Sequence, residues 1–214
     1  MLERAIQELT GAPAVVLGAG RTDAGVHARA QVSSFATHTR IPLLGIVRGL
    51  NSALPHDVAV RDAEEVDSAF DARRHARGKR YLYLIWNRPE RSPLWRRTSW
   101  HLTRPLDVGA MRRGAAPLLG EHDFSAFRAA GCSAKHPVRT LYSLDISGED
   151  LITLSFEGNA FLRHMVRNIA GTLAEVGLGR RPPEAVAAIL EGRDRTRAGR
   201  TAPANGLTLW AVYY

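Results

Sequence analysis

A chain of 214 residues with 45% hydrophobic and 23% charged residues can bury one large core or two small ones, as an ordinary globular protein does. No apolar run reaches the roughly 20 residues of a membrane span, the start lacks a signal-peptide pattern, and the single cysteine, Cys132, excludes an internal disulfide and a cysteine-based metal site. A cytoplasmic protein is expected, and a formal net charge of +8 with a pI near 10.5 points to a polyanionic partner.

In chain order, Leu2, Ile6 and Leu9 recur at helical spacing, and Gly11 with Pro13 ends that helix. The apolar run 14–17 reads as a strand, and a second strand is expected around 31–36. Pro42 opens a helix with Leu43, Val47, Leu50 and Leu54 on one face, and 58–61 reads as a short strand. Residues 1–72 therefore read α-β-β-α-β.

The remainder, 73–214, begins with an aromatic and branched strand at 80–87. Asp107 is a good N-cap, with Leu106 and Met111 placed as a hydrophobic staple. Strands 140–146 and 151–157 flank the turn Ser147-Gly-Glu-Asp150 as a hairpin. Leu162, Met165, Val166, Ile169, Leu173 and Val176 then mark an amphipathic helix that Gly177 and Gly179 end. Pro182-Pro183 starts a shorter helix carrying Val186 and Ile189, and 207–214 closes as a strand. Two α/β halves with mostly hairpin-type pairing predict an α+β fold with a cleft between the halves.

The charge is not evenly spread. Residues 1–72 hold 6 basic and 9 acidic residues, whereas 73–214 hold 23 basic and 12 acidic. Only Lys79 and Lys135 are lysines; the rest are arginines, whose planar fork suits phosphates and stacks on bases. Genomic composition explains part of the arginine count but not this asymmetry. Nucleic acid is the expected partner of the second half.

The segment GAGRTDAGVHA at residues 18–28 sets one carboxylate, Asp23, among Gly18, Gly20 and Gly25, with Arg21 two positions before it. In an extended chain Arg21 and Asp23 share a face, and an arginine beside a carboxylate favours the ionised form that a nucleophile or base requires. Taken alone, the spacing equally fits a glycine-rich turn whose Asp caps backbone amides. A phosphate cradle is disfavoured: neither common glycine-rich phosphate pattern is present, and an acid in the centre of the loop would repel phosphate. The eight histidines show no metal-ligand spacing, so no metal is expected.

Residues 18–28 with Gln31-Val32 resemble the catalytic segment of the TruA-type tRNA pseudouridine synthases. Three further stretches are similar to that family in the same order: RYLYLIWN at 80–87, DFSAFR at 123–128 and NAFLRHMVRNIAG at 159–171. The resemblance implies two ferredoxin-like halves with mainly antiparallel sheets joined across a central cleft, 1–72 carrying the catalytic segment and 73–214 the RNA-binding surface. It implies an isomerase that converts uridine to pseudouridine at tRNA positions 38, 39 and 40, as a homodimer without a cofactor. Asp23 is then the catalytic carboxylate, able to attack C1′, add to C6 or take a C2′ proton. Tyr81 stacks on the flipped uracil, where an aromatic face is worth about 1–3 kcal/mol, although a sheet-core tyrosine paired with Tyr83 is the structural alternative. Arg21 pairs with Asp23 and helps hold the target nucleotide out of the stack.

Arg163, His164 and Arg167 flank the apolar stripe of the long helix and read as phosphate contacts, as does the run Arg193, Arg195, Arg197 and Arg200. Asn168 and Leu207 match family positions near the cleft, and His27 lies within the Asp23 segment. One departure stands out: the family pattern places a strand and a loop before its first helix, whereas this sequence begins inside that helix. Either the start is misassigned or the protein is a shortened variant, and in the second case the first half is expected to lack a strand and expose a sheet edge. A catalytically disabled RNA-binding relative is the competing reading.

Overall fold

The computed structural model describes residues 1–214 as five α-helices and nine strands. In order these are α1 (Leu2–Thr10), β1 (Leu17–Gly18), β2 (His27–Ala28), β3 (Ser33–Ser34), α2 (Leu43–Ala53), β4 (Gly78–Trp86) and β5 (Trp100–His101). They continue with α3 (Val108–Ala115), β6 (Gly120–Asp123), β7 (Val138–Ser147), β8 (Leu151–Gly158), α4 (Met165–Gly177), α5 (Ala185–Gly192) and β9 (Leu207–Tyr213). The fold is α+β. Two compact units are formed: Met1–Arg21 with Gln31–Ala76, and Thr22–Ala30 with Arg77–Tyr214. The segment bearing Asp23 thus belongs to the second unit, where the sequence reading had put it in the first half.

In the first unit, α1 packs on α2 through Ala5, Ile6, Ile46, Leu50 and Leu54, with Val16, Phe35 and Val60 closing the cluster. The strands expected at 14–17 and 31–36 shrink to the two-residue antiparallel pair β1–β3. No strand forms at 58–61. The reason lies in Asn51, whose side-chain amide donates to the Val60 carbonyl and accepts from the Val60 N–H, both at 2.7 Å. One carboxamide there satisfies the backbone groups that a neighbouring strand would otherwise pair.

The second unit carries a mixed sheet of order β2-β9-β4-β8-β7-β6, with β5 beside β4. Pairings β4–β8, β4–β9, β7–β8 and β6–β7 are antiparallel; β2–β9 and β4–β5 are parallel. Taking β4, α3, β7, β8, α4 and β9 alone, the order is β-α-β-β-α-β with the last strand beside the first, the ferredoxin-like arrangement that the resemblance implied. One large core fills this unit, from Tyr83, Ile85, Leu154 and Phe156 on the sheet to Met111, Ile169 and Leu173 on the helices. Local chemistry sets the element ends as read: Asp107 accepts from the Ala110 N–H at 2.8 Å, and Leu106 and Met111 both pack at Gly177. The hairpin turns at Gly148, whose φ of 97° suits glycine alone.

Candidate active site

The Asp23 segment is held by backbone bonding to the large sheet. The Val26 N–H donates to the Asp23 carbonyl at 3.0 Å, closing a β-turn with Gly25 at φ 82° in its third position. Of the three glycines in the motif, only Gly25 adopts the left-handed backbone. The chain leaves the turn as β2, pairing His27 with Thr208 and Ala28 with Leu209, and the Arg29 N–H donates to the Leu209 carbonyl at 2.9 Å. The Arg29 guanidinium lies 4.4 Å from the Trp210 ring centre. His27 donates through Nε2 to the Arg97 carbonyl at 2.9 Å, so its ring pins the segment in place.

The partners of Asp23 come from α4 and the residue that precedes it. Arg167 donates from Nη1 to Asp23 Oδ2 at 2.8 Å and from Nε to the Ala202 carbonyl, also at 2.8 Å. The pair is largely shielded, with 14% of the Arg167 and 30% of the Asp23 side chain exposed. His164 places Nε2 3.1 Å from the same oxygen. His164 is one of only two non-glycine residues with positive φ, at 61°, a left-handed backbone that His tolerates better than most residues. This turn lies at the entry to α4, where a strained conformation that carries a functional side chain is a familiar association.

Burial holds the His164 imidazole below the ordinary histidine value, and the cations of Arg167, Arg163 and Arg195 act the same way against the opposing pull of Asp23. Near neutral pH, His164 is therefore an uncharged neighbour of the Asp23 carboxylate. The unfolded chain binds this proton more readily than the folded one, so stability rises with pH across the window between the lowered folded value and the ordinary 6.5. On acidification from pH 7 to pH 5, the melting temperature of wild type is expected to fall further than that of His164→Gln. Parallel melting curves for the two proteins would remove this assignment.

Tyr81 lies on β4 between Phe156 of β8 and Leu209 of β9, with its ring edge-on to Phe161 at 5.1 Å. Its hydroxyl is pushed up to about 12, first by burial and then by the negative charge of Asp23, which places phenol and carboxylate in one electrostatic neighbourhood. Tyr81 is itself a buried core residue, 8% exposed, and Tyr83, two residues on, is wholly buried and donates to the Pro203 carbonyl at 2.8 Å.

Other residues singled out in the sequence are distributed differently. Arg21 is exposed in the first unit and forms no ion pair; the arginine on Asp23 is Arg167, which had been read as a phosphate contact. A spacing of two residues is no guide here because the chain turns immediately after Asp23. Arg163 is exposed and donates to the Ala130 carbonyl at 3.2 Å. Asn168 is fully buried, donating to the Phe127 carbonyl and accepting from Thr201 Oγ1 at 2.6 Å and Arg195 Nη2 at 3.0 Å. Leu207 is a core residue opposite Tyr83.

The basic run divides as well. Arg195 spends its guanidinium on Asn168, Thr201 and the Gly199 carbonyl, and so braces the chain crossing α4. Arg193 pairs with Asp123 at 3.4 Å, while Arg197 and Arg200 are exposed. No cluster of three or more His, Cys, Asp or Glu side chains is placed to hold a metal, and no helix is long and apolar enough to cross a membrane. His164 is the residue whose role the sequence did not assign: its place in a basic helical face suggested phosphate, and only the turn at φ 61° sends it to Asp23.

Residues 115–214 match the family described as tRNA pseudouridine synthase. Over its whole length the chain is 56% identical to tRNA pseudouridine synthase A of Myxococcus xanthus, covering 82% of that protein. It is 47% identical to the protein of the same name from Syntrophotalea carbinolica and 46% identical to that from Geotalea uraniireducens, covering 85% and 88% of them. With identity of this order over its whole length, the chain belongs to the TruA-type tRNA pseudouridine synthase family.

Proposed function

We propose that the protein isomerises uridine to pseudouridine in tRNA, with Asp23 as the reacting carboxylate. The observation that carries this reading is the fixing of Asp23 by Arg167 and His164 next to Tyr81, in a chain of this family. The reaction breaks the N1–C1′ bond, turns the uracil and joins C5 to C1′; C5 gives up its proton and N1 takes one. Atoms and electrons balance within the nucleotide, so a carboxylate and a pocket that retains the base suffice. Asp23 reaches its substrate from an anchored turn, Arg167 supplies the counter-charge and fixes one oxygen, and the His164 ring packs beside the same oxygen. The other oxygen, Oδ1, is left for C1′, for C6 or for the C2′ proton. Tyr81 stays protonated throughout the physiological range and offers a ring to replace the stacking a flipped base has lost.

The specific targets we infer are tRNA positions 38, 39 and 40. Serving three neighbouring positions calls for recognition of backbone and shape rather than base sequence. Exposed cations of the second unit, Arg163, Arg197 and Arg200 among them, suit that task. The reading extends to a cytoplasmic homodimer in which one subunit contributes basic surface to a tRNA modified by the other. Pseudouridine mapping of tRNA from cells lacking the gene is expected to show loss at 38–40 alone, restored by the purified chain acting on unmodified tRNA. Modification confined to the T-loop or to ribosomal RNA would overturn the target assignment, tRNA binding without turnover would favour the disabled relative, and a fully active monomer in light scattering would remove the dimer.

A further inference from the structure

Outside the Asp23 site, the second unit holds one cavity whose lining is both aromatic and cationic. It measures about 250 Å³ and is lined by Trp86, Trp95 and Trp100 together with Arg91, Arg96 and His101. Three of the four tryptophans in the chain meet here. No carboxylate contributes to the lining.

The walls are built rather than incidental. Trp86 donates from its indole N–H to the Glu90 carbonyl at 2.7 Å, His101 from Nε2 to the Arg88 carbonyl at 2.8 Å, and Ser99 Oγ to the Trp95 carbonyl at 2.9 Å. Trp100 is buried, with its ring edge-on to Tyr83 and the Arg200 guanidinium 4.6 Å from its centre. Trp86 and Trp95 remain partly exposed. Arg91 and Arg96 are exposed, and neither guanidinium forms an ion pair or hydrogen bond within the protein.

Two bonds tie this cavity to the Asp23 segment and to β9. The loop between β4 and β5 presents the Arg97 carbonyl to His27, four residues after Asp23, and Asn205 donates to the Ser99 carbonyl at 2.7 Å. Whatever fills the cavity therefore lies one loop away from the reacting carboxylate.

The chemistry of the lining names the occupant. Partly exposed indoles attract a flat π-system, and two unpaired arginines attract phosphate; one nucleotide carries both groups at its own spacing. The volume is below the roughly 300–1,000 Å³ of sites for drug-sized ligands and suits a single base or nucleoside. We propose that this cavity is a second RNA subsite that takes one unstacked nucleotide of the tRNA, its base against Trp95 and Trp86 and its phosphate on Arg91 and Arg96. The proposal rests on the tRNA substrate proposed above. A nucleotide held here would fix the RNA strand relative to Asp23, so the subsite acts in positioning.

The test uses the purified full chain and unmodified tRNA. Ultraviolet crosslinking followed by peptide mapping is expected to yield an RNA adduct within 86–101. Trp95→Ala should weaken tRNA binding by roughly 5- to 150-fold, with the loss falling in KM, while Trp95→Phe recovers most of it. The double variant Arg91→Ala/Arg96→Ala breaks no internal bond and should reduce the slope of log K against log salt by roughly 1.4 to 1.8. Unchanged affinity and salt slope in these variants would overturn the subsite, as would an altered oligomeric state of Trp95→Ala at unchanged affinity, which would give the cavity to a second copy of the chain. Binding and crosslinking are read independently of turnover, so an inactive wild type would sink the proposed function and leave this result to stand or fall by itself.

Discussion

Asp23→Asn is expected to lower turnover of tRNA by at least about a thousandfold, some 4 kcal/mol of transition-state stabilisation, while tRNA affinity stays close to wild type. The carboxamide keeps an oxygen for Arg167 and His164 but loses the negative charge and the nucleophilicity. Asp23→Glu should fail too, since one extra methylene displaces a carboxylate held by the 2.8 Å bond from Arg167, with His164 3.1 Å away. Arg167→Lys is expected to fall nearly as far. A lysine is a point charge that cannot bond the Asp23 carboxylate and the Ala202 carbonyl with the fixed fork that Arg167 uses for both. Single-turnover rates with saturating enzyme separate these losses from binding. Near-normal rates in Asp23→Asn would remove the carboxylate from the mechanism, and near-normal rates in Arg167→Lys would reduce Arg167 to a spectator.

Gly171→Ala is expected to lower the melting temperature by about 5–10 °C and to depress activity with it. Gly171 lies in the middle of α4, where alanine would ordinarily gain about 1 kcal/mol of helix propensity. A Cβ here would stand 1.8 Å from the Arg200 carbonyl oxygen and 3.3 Å from the Ala202 nitrogen. The obstacle is backbone, and it is tied down: the Gly199 N–H bonds Thr172 Oγ1 at 2.9 Å, the Ala202 N–H bonds the Arg167 carbonyl at 3.1 Å, and Arg195 braces the run from Asn168. Displacing that segment costs about 3 kcal/mol or more, which outweighs the propensity gain. It also pulls on Ala202, the second anchor of Arg167, so the loss of stability should reach the active site. A variant that melts at or above the wild-type temperature would show that the crossing is looser than drawn.

Some of this protein was legible from residue spacing because the responsible forces are local. The period of Leu162, Met165, Ile169 and Leu173 marked α4, Asp107 capped α3, and the turn after Ser147 set the hairpin, each within a few residues of chain. The motif around Asp23 was legible for the same reason, and its resemblance to a known family named the chemistry. The short strands of the first unit were not. Whether 58–61 pairs as a strand depends on where Asn51 reaches, and a polar side chain standing in for a strand leaves no periodic trace.

The roles of the arginines were decided by tertiary structure alone. Sequence could count them and place them in the second half, but a guanidinium facing solvent and one facing a carboxylate have the same spacing in the chain. Arg167 and Arg195 turn inward, to Asp23 and to Asn168, while Arg91, Arg96 and Arg197 face out. His164 joins Asp23 only through a left-handed turn at a residue type that does not require one. Composition and pattern thus determined a basic α+β chain with one candidate carboxylate, because hydrophobic period and turn chemistry act over short stretches. Which cation partners that carboxylate, across 144 positions of sequence, was settled only by the tertiary fold, which brings α4 to the turn before β2.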